Sequence, residues 1–198
     1  MTDREKVMNF IAQNHGVIRA KDLHQMEIDT KILQRLVKAG ELERIAHGLY
    51  MDANHLEDPF YVALYRCSRG VFSMDTALYL HQFTDRNPTT LSITIPSGSN
   101  TTLLTDSSHY RFYYLKEKLW KVGQINLISP FGNPLTVYDP ERTIVDCIRK
   151  IDELDRDEVV SAIKIYMKSP NAKFDILLDY AEFFNLRETV RKYMEVLR

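Results

Sequence analysis

Apolar positions in the first fifty residues recur with a helical period and are punctuated by glycine. Val7, Phe10 and Ile11 fall at i, i+3 and i+4 behind Thr2 or Asp3 as a cap. Gly16 then stands where a left-handed residue would end that helix. Val17-Ile18 reads as a strand stub, 21–25 as a short helix with Leu23 inward, and Glu27-Ile28-Asp29 as a turn. A third helix runs over 30–39, with Ile32, Leu33, Leu36 and Val37 as its core stripe and Gly40 stopping it. Leu42–Ile45 and Leu49–Met51 form two short strands around Ala46-His47-Gly48, a tight turn with glycine where positive φ is needed. Three helices followed by a hairpin is the order of a winged helix-turn-helix, here residues 1–53.

Residues 54–198 have a different texture. Asp58 caps and Pro59 starts a helix through Cys67, and Ser73 caps another through about Gln82. Leu91–Ile95 and Tyr110–Tyr114 alternate as half-buried strands, and 123–128 and 135–138 add two more. The polar run Ser97–Ser108 reads as a loop. Asp139 caps a helix with Pro140 at its first position, its apolar side being Ile144, Cys147, Ile148 and Ile151. Three amphipathic helices close the chain, near 155–168, 173–184 and 186–197. The last carries the cleanest stripe: Leu186, Val190, Tyr193, Met194 and Leu197. The expected class is α+β, a winged helix-turn-helix followed by a larger mixed domain with a small sheet and C-terminal helices.

Composition narrows the function classes. With 198 residues, 44% apolar and 27% charged, the chain is long enough to fold without disulfide or metal staples. Its uncharged stretches are broken by Pro, Gly, Asn and Gln, and its N-terminus has no apolar core, so neither a membrane span nor a secretory signal is expected. Two distant cysteines, Cys67 and Cys147, fit a reduced, cytoplasmic protein. A net charge of −1 argues against a general nucleic-acid coat yet leaves room for a local basic face.

Such a face lies on the third helix. Lys31, Gln34, Arg35 and Lys38 share the side opposite its apolar stripe, just after Thr30. In a helix-turn-helix this side enters the major groove, where Arg and Gln pair with guanine and adenine edges and Lys meets phosphate. Arg44 and His47 lie on the wing, and Arg19 and Lys21 at the start of the second helix, placed for backbone contacts. A solvated helix face is the plainer use of such residues, and the winged order around them is what favours DNA. Enzyme signals are weak: the six histidines are scattered, and no metal or cofactor motif is present. Asp139, Glu141 and Asp146 cluster as nuclease acids would, but Asp139 is spent as a cap, and Asp146 can pair with Lys150. The rings of Tyr110–Tyr114 are expected in a core, base stacking being their other use. Arg111, Lys116, Lys118 and Lys121 make a basic group able to face RNA or DNA, or to guard a strand edge.

Residues Gly16–Ala20, Gly40–Tyr50 over the wing, Ser73–Leu80 and Asp139–Cys147 together resemble the AbiEi family, the antitoxins of bacterial type IV abortive-infection toxin–antitoxin systems. Gly48-Leu49-Tyr50 and Asp139-Pro-Glu-Arg-Thr143 are the specific parts. The resemblance implies a winged domain that binds repeats in its own promoter, two copies per operator, and represses it. It also implies a second domain that counteracts a nucleotidyltransferase-like toxin without a stable complex. No catalytic residue, metal or cofactor follows from it. Arg111, Lys116, Lys118 and Lys121, joined by Arg142 as the motif residue with least structural explanation, are the expected antitoxic surface. A winged-helix repressor whose second domain senses a ligand or dimerises is the alternative, and a DNA-tethered nuclease a third.

Overall fold

Thr2 starts the first helix as a reciprocal cap. Its hydroxyl accepts from the Glu5 amide at 3.3 Å, and its own amide donates to the Glu5 carboxylate at 2.7 Å. The computed structural model describes residues 1–197; Arg198, the last residue of the second segment, lies outside them. Helix α1 (Asp3–Gln13) buries Val7 and Ile11, followed by β1 (Val17–Arg19), α2 (Ala20–Gln25), α3 (Lys31–Lys38), β2 (Leu42–Ala46), β3 (Leu49–Asp52) and α4 (Pro59–Arg66). The strands form one antiparallel sheet in the order β1-β3-β2, with Ile18 opposite Tyr50 and Arg44 also opposite Tyr50 on the other side. Val7, Ile11, Ile18, Leu23, Leu33, Leu36 and Leu42 make the core beneath them.

The end of α1 differs from expectation in one detail. The left-handed position after the helix is taken first by His15 (φ 52°), and Gly16 follows it at φ 80°, its amide donating to the Ile11 carbonyl. Glycine is required there for a second reason: a Cβ would sit 2.3 Å from the His55 ring.

Compactness divides the chain at Arg66/Cys67 rather than at 53/54, and residues 128–134 belong with the first unit. Asp58 explains both. One carboxylate oxygen caps α4 by accepting from the Phe60 and Tyr61 amides, and the other accepts from Ser129 Oγ at 2.6 Å and Asn133 Nδ2 at 2.9 Å.

The second unit is built on five strands in the order β6-β5-β4-β8-β7. They are β4 (Val71–Phe72), β5 (Leu91–Pro96), β6 (Tyr110–Leu115), β7 (Gln124–Ile128) and β8 (Pro134–Tyr138). Strand β4, too short to show an alternation, was not expected; it runs antiparallel to β5 and parallel to β8. Between and after the strands lie α5 (Met74–Leu80), α6 (Glu117–Trp120), α7 (Pro140–Arg149), α8 (Arg156–Lys168), α9 (Phe174–Phe183) and α10 (Arg187–Val196). Ser73 does not cap α5 with its side chain; its hydroxyl instead accepts from Thr94 Oγ1 at 2.8 Å. Helix α7 is buried almost on every side, and Ile144, Val145, Cys147 and Ile148 join Val159, Tyr166, Leu177 and Val190 in one core. The α10 stripe packs there as its spacing implied.

His81, just past α5, has its Nε2–H donating to the Tyr138 carbonyl at 2.7 Å. Burial pushes the imidazolium pKa down from its ordinary value, the carbonyl only partly opposing it. The unfolded chain therefore takes up this proton first as pH falls. Folding stability should decline below about pH 6.5, by up to about 1.4 kcal/mol per pH unit, until the folded state is protonated too. Equilibrium denaturation across that range should show the decline in the wild type and a shallower one in His81→Gln.

Candidate nucleic-acid interface

Helix α3 is laid down by what precedes it. Its first amide, that of Lys31, donates to the Asp29 carboxylate at 2.9 Å, while Thr30 at the cap position makes no side-chain capping bond. Ile32, Leu33 and Leu36 are buried, which turns Lys31, Gln34, Arg35 and Lys38 to solvent. The acids nearest this face are occupied: Glu41 pairs with Arg4, and Asp29 lies 3.9 Å from the Lys31 ammonium. Helix α3 has eight residues, about 12 Å of length at about 1.5 Å each, and its diameter of about 10–12 Å with side chains is what a major groove about 12 Å wide admits.

The wing stands on the same unit. A β-bulge between Arg44 and Ala46 precedes the His47-Gly48 turn, where Gly48 has φ 73°. The Arg44 guanidinium donates across the turn to His47 Nδ1 at 3.1 Å and to the Ala46 carbonyl, and both side chains are exposed. From behind, the Tyr65 hydroxyl of α4 donates to the His47 carbonyl at 3.3 Å. Tyr65 is a positioning contact that sequence reasoning missed, eighteen positions away with no periodic link to the wing.

The Arg19 guanidinium and amide both bond to Asp22 (Nη2 at 2.7 Å, amide at 2.9 Å), which fixes the start of α2, and its side chain stays 39% exposed. Burial raises the Asp22 carboxyl, but the Arg19 bonds and charge outweigh that and hold it below the ordinary carboxylate range. Lys21 is exposed beside this pair.

In the second unit, Arg111, Lys116, Lys118 and Lys121 are exposed on or after β6. The Arg111 guanidinium donates to the Glu153 carbonyl at 3.2 Å, and Lys121 lies 3.3 Å from Glu117. Arg142 is a correction. It is 0% exposed, donating to Asp146 at 3.0 Å and to the carbonyls of Leu119 and Val122, so it contributes to no surface. The reason is that α7 has no solvent side: a long cation four residues before Asp146 is there to neutralise a buried acid. Arg69, missed by sequence reasoning, joins the exposed group by pairing with Glu117.

The three clustered acids are all engaged structurally. Asp139 accepts from the Arg142 amide and the Tyr180 hydroxyl, Glu141 from the Tyr166 hydroxyl and the Lys173 amide, and Asp146 from Arg142 and Arg149. Asp146 therefore pairs with two arginines rather than with Lys150. Among the described residues, no group of three metal-ligating side chains is assembled, and no helix is long and apolar enough to cross a membrane.

Residues 5–51, which run from within α1 through α2, α3 and nearly all of the wing, match the family described as AbiEi antitoxin transcriptional regulators. No protein of curated function matches the chain in sequence. Among solved structures, the RV2827C protein from Mycobacterium tuberculosis is similar with a TM-score of 0.53 at 14% identity, over 98% of this chain and 79% of that one. At that identity the likeness is one of fold.

Proposed function

We propose, from the match of residues 5–51 to the AbiEi antitoxin transcriptional regulators, that this protein is an antitoxin that binds repeats in its own promoter and represses transcription. The carrying observation is the solvent-facing side of α3, where Lys31, Gln34, Arg35 and Lys38 are exposed together, with Asp29 3.9 Å from Lys31 and Glu41 paired with Arg4. Arg35 and Gln34 read base edges, Lys31 and Lys38 grip phosphates, and the Arg44–His47 wing contacts the flanking backbone. Lys21 adds a phosphate contact, and Thr30 lies at the groove-facing end of the helix. Two copies bind per operator, on half-sites about 34 Å or a multiple of it apart. The second unit counteracts a nucleotidyltransferase-like toxin encoded beside it without forming a stable complex, with Arg111, Lys116, Lys118 and Lys121 as its antitoxic surface.

Gel shifts with the DNA upstream of the gene, at two salt concentrations, test the DNA reading. Arg35→Ala should weaken operator binding by about 1–3 kcal/mol and relax sequence preference. Lys38→Ala should weaken all duplexes alike and reduce the salt slope by about 0.9. Unchanged operator affinity in both variants would remove α3 from the groove. Co-expression with the adjacent gene, scored for rescue of growth, tests the antitoxin part.

A further inference from the structure

Strand β6 lies at one edge of its sheet, and its rings divide by face. Tyr113 and Leu115 are buried, whereas Tyr114 between them is 50% exposed. The next residue on that side, Lys116, is extended (φ −58°, ψ 143°) and exposed, continuing the side of the strand that Tyr114 occupies. Helix α6 then presents Lys118 and Lys121, and the Arg69 guanidinium lies over its Trp120 ring at 5.0 Å. Glu117, the acid in this group, is held by Arg69 on one side and Lys121 on the other. Two π surfaces, the open Tyr114 ring and the Arg69–Trp120 stack, are thus set among four cations and one acid.

We propose that this surface binds a single-stranded nucleic acid, with a base stacked on Tyr114 and the backbone phosphates held by Lys116, Lys118 and Lys121. Base–aromatic stacking is indifferent to sequence because every base has a π face, and a positively charged surface, here the lysines just after β6 and on α6, tracks a phosphate chain. A duplex fits less well: its bases are already stacked on one another, so it would meet the lysines and leave the Tyr114 ring idle. An acidic protein segment would satisfy the charge but makes no use of the exposed Tyr114 ring. The site is separate from α3 and shares Lys116, Lys118 and Lys121 with the proposed antitoxic surface; strand binding is read without the toxin, so it and growth rescue can each fail alone.

Fluorescence anisotropy of the full chain with labelled oligouridine, oligodeoxythymidine, an unrelated short duplex and polyglutamate tests it. Either single strand should bind, and Tyr114→Ala should weaken that binding about tenfold while leaving promoter affinity unchanged. Tyr114→Phe, which keeps the ring, should bind as the wild type does, separating stacking from a folding defect. Lys116→Ala with Lys118→Ala should lower the single-strand salt slope by about 1.4. Arg35→Ala should leave single-strand binding intact. The proposal is overturned if neither single strand binds, if Tyr114→Ala binds them as tightly as the wild type, if the duplex binds as well and loses as much in Tyr114→Ala, or if polyglutamate outcompetes both strands.

Discussion

Arg142→Ala should lower the folding stability of the second unit by about 3–5 kcal/mol, the range for removing one partner of a fully buried ion pair. The guanidinium donates to Asp146 at 3.0 Å and to the carbonyls of Leu119 and Val122 at 3.0 and 2.8 Å. It also lies between two rings, 4.3 Å from the Tyr138 centroid and 4.7 Å from that of Phe184. Truncation leaves two carbonyls without their donor, a cavity between the rings, and Asp146 with only Arg149, itself 20% exposed, to offset its charge. Arg142→Met with Asp146→Leu removes both charges at similar volume and should recover much of the loss. Urea denaturation of the three chains measures this. A loss below about 1 kcal/mol for Arg142→Ala would mean that the pair is not closed in solution.

The second large effect is expected at Asp58. Asp58→Ala removes the cap of α4 and strands the Ser129 hydroxyl and the Asn133 amide in a buried site. Loss of a cap costs about 1 kcal/mol and each stranded buried donor about 1–3, so a loss of about 3 kcal/mol or more is expected. For a chain of this size that is a fall in Tm of about 6–12 °C. Asp58→Asn, which retains acceptor capacity on one oxygen, should lose less. Thermal unfolding followed by circular dichroism decides it, and equal Tm values for Asp58→Ala and the wild type would refute the stapling role.

Local physics made much of this legible in advance. The caps at Thr2, Asp58 and Asp139, the inward stripes of α1, α3 and α10, and the glycine turn of the wing are short-range patterns, and each is where its spacing placed it. The cationic face of α3 follows from the same periodicity, since burying Ile32, Leu33 and Leu36 leaves the other side no alternative to solvent. What stayed hidden depends on distant partners. Arg142 looked idle because its ligands, the Leu119 and Val122 carbonyls, are backbone atoms in another element. Arg69 lies forty-eight positions from Glu117, and two-residue β4 has too few side chains to alternate. The rings of Tyr110–Tyr114 are expected in a core from sequence, yet an edge strand buries one face better than the other, and Tyr114 is where that asymmetry shows.

Asp58 also decides how this molecule can be recombined. The chain crosses between its units after Arg66, after Leu127 and again after Pro134. A reading head transplanted as residues 5–51 would leave behind both the helix carrying Tyr65 and the 128–134 return that Asp58 fastens. Such a graft would carry the exposed cationic face of α3 and lose the Tyr65 contact to the wing. An exchange that respects the architecture must move two separate stretches of sequence at once, and a single crossover cannot do that. Homologous shuffling in this fold is therefore expected to swap whole chains, or only the side chains of α3, which under the proposed DNA reading makes Gln34 and Arg35 the places where operator specificity changes.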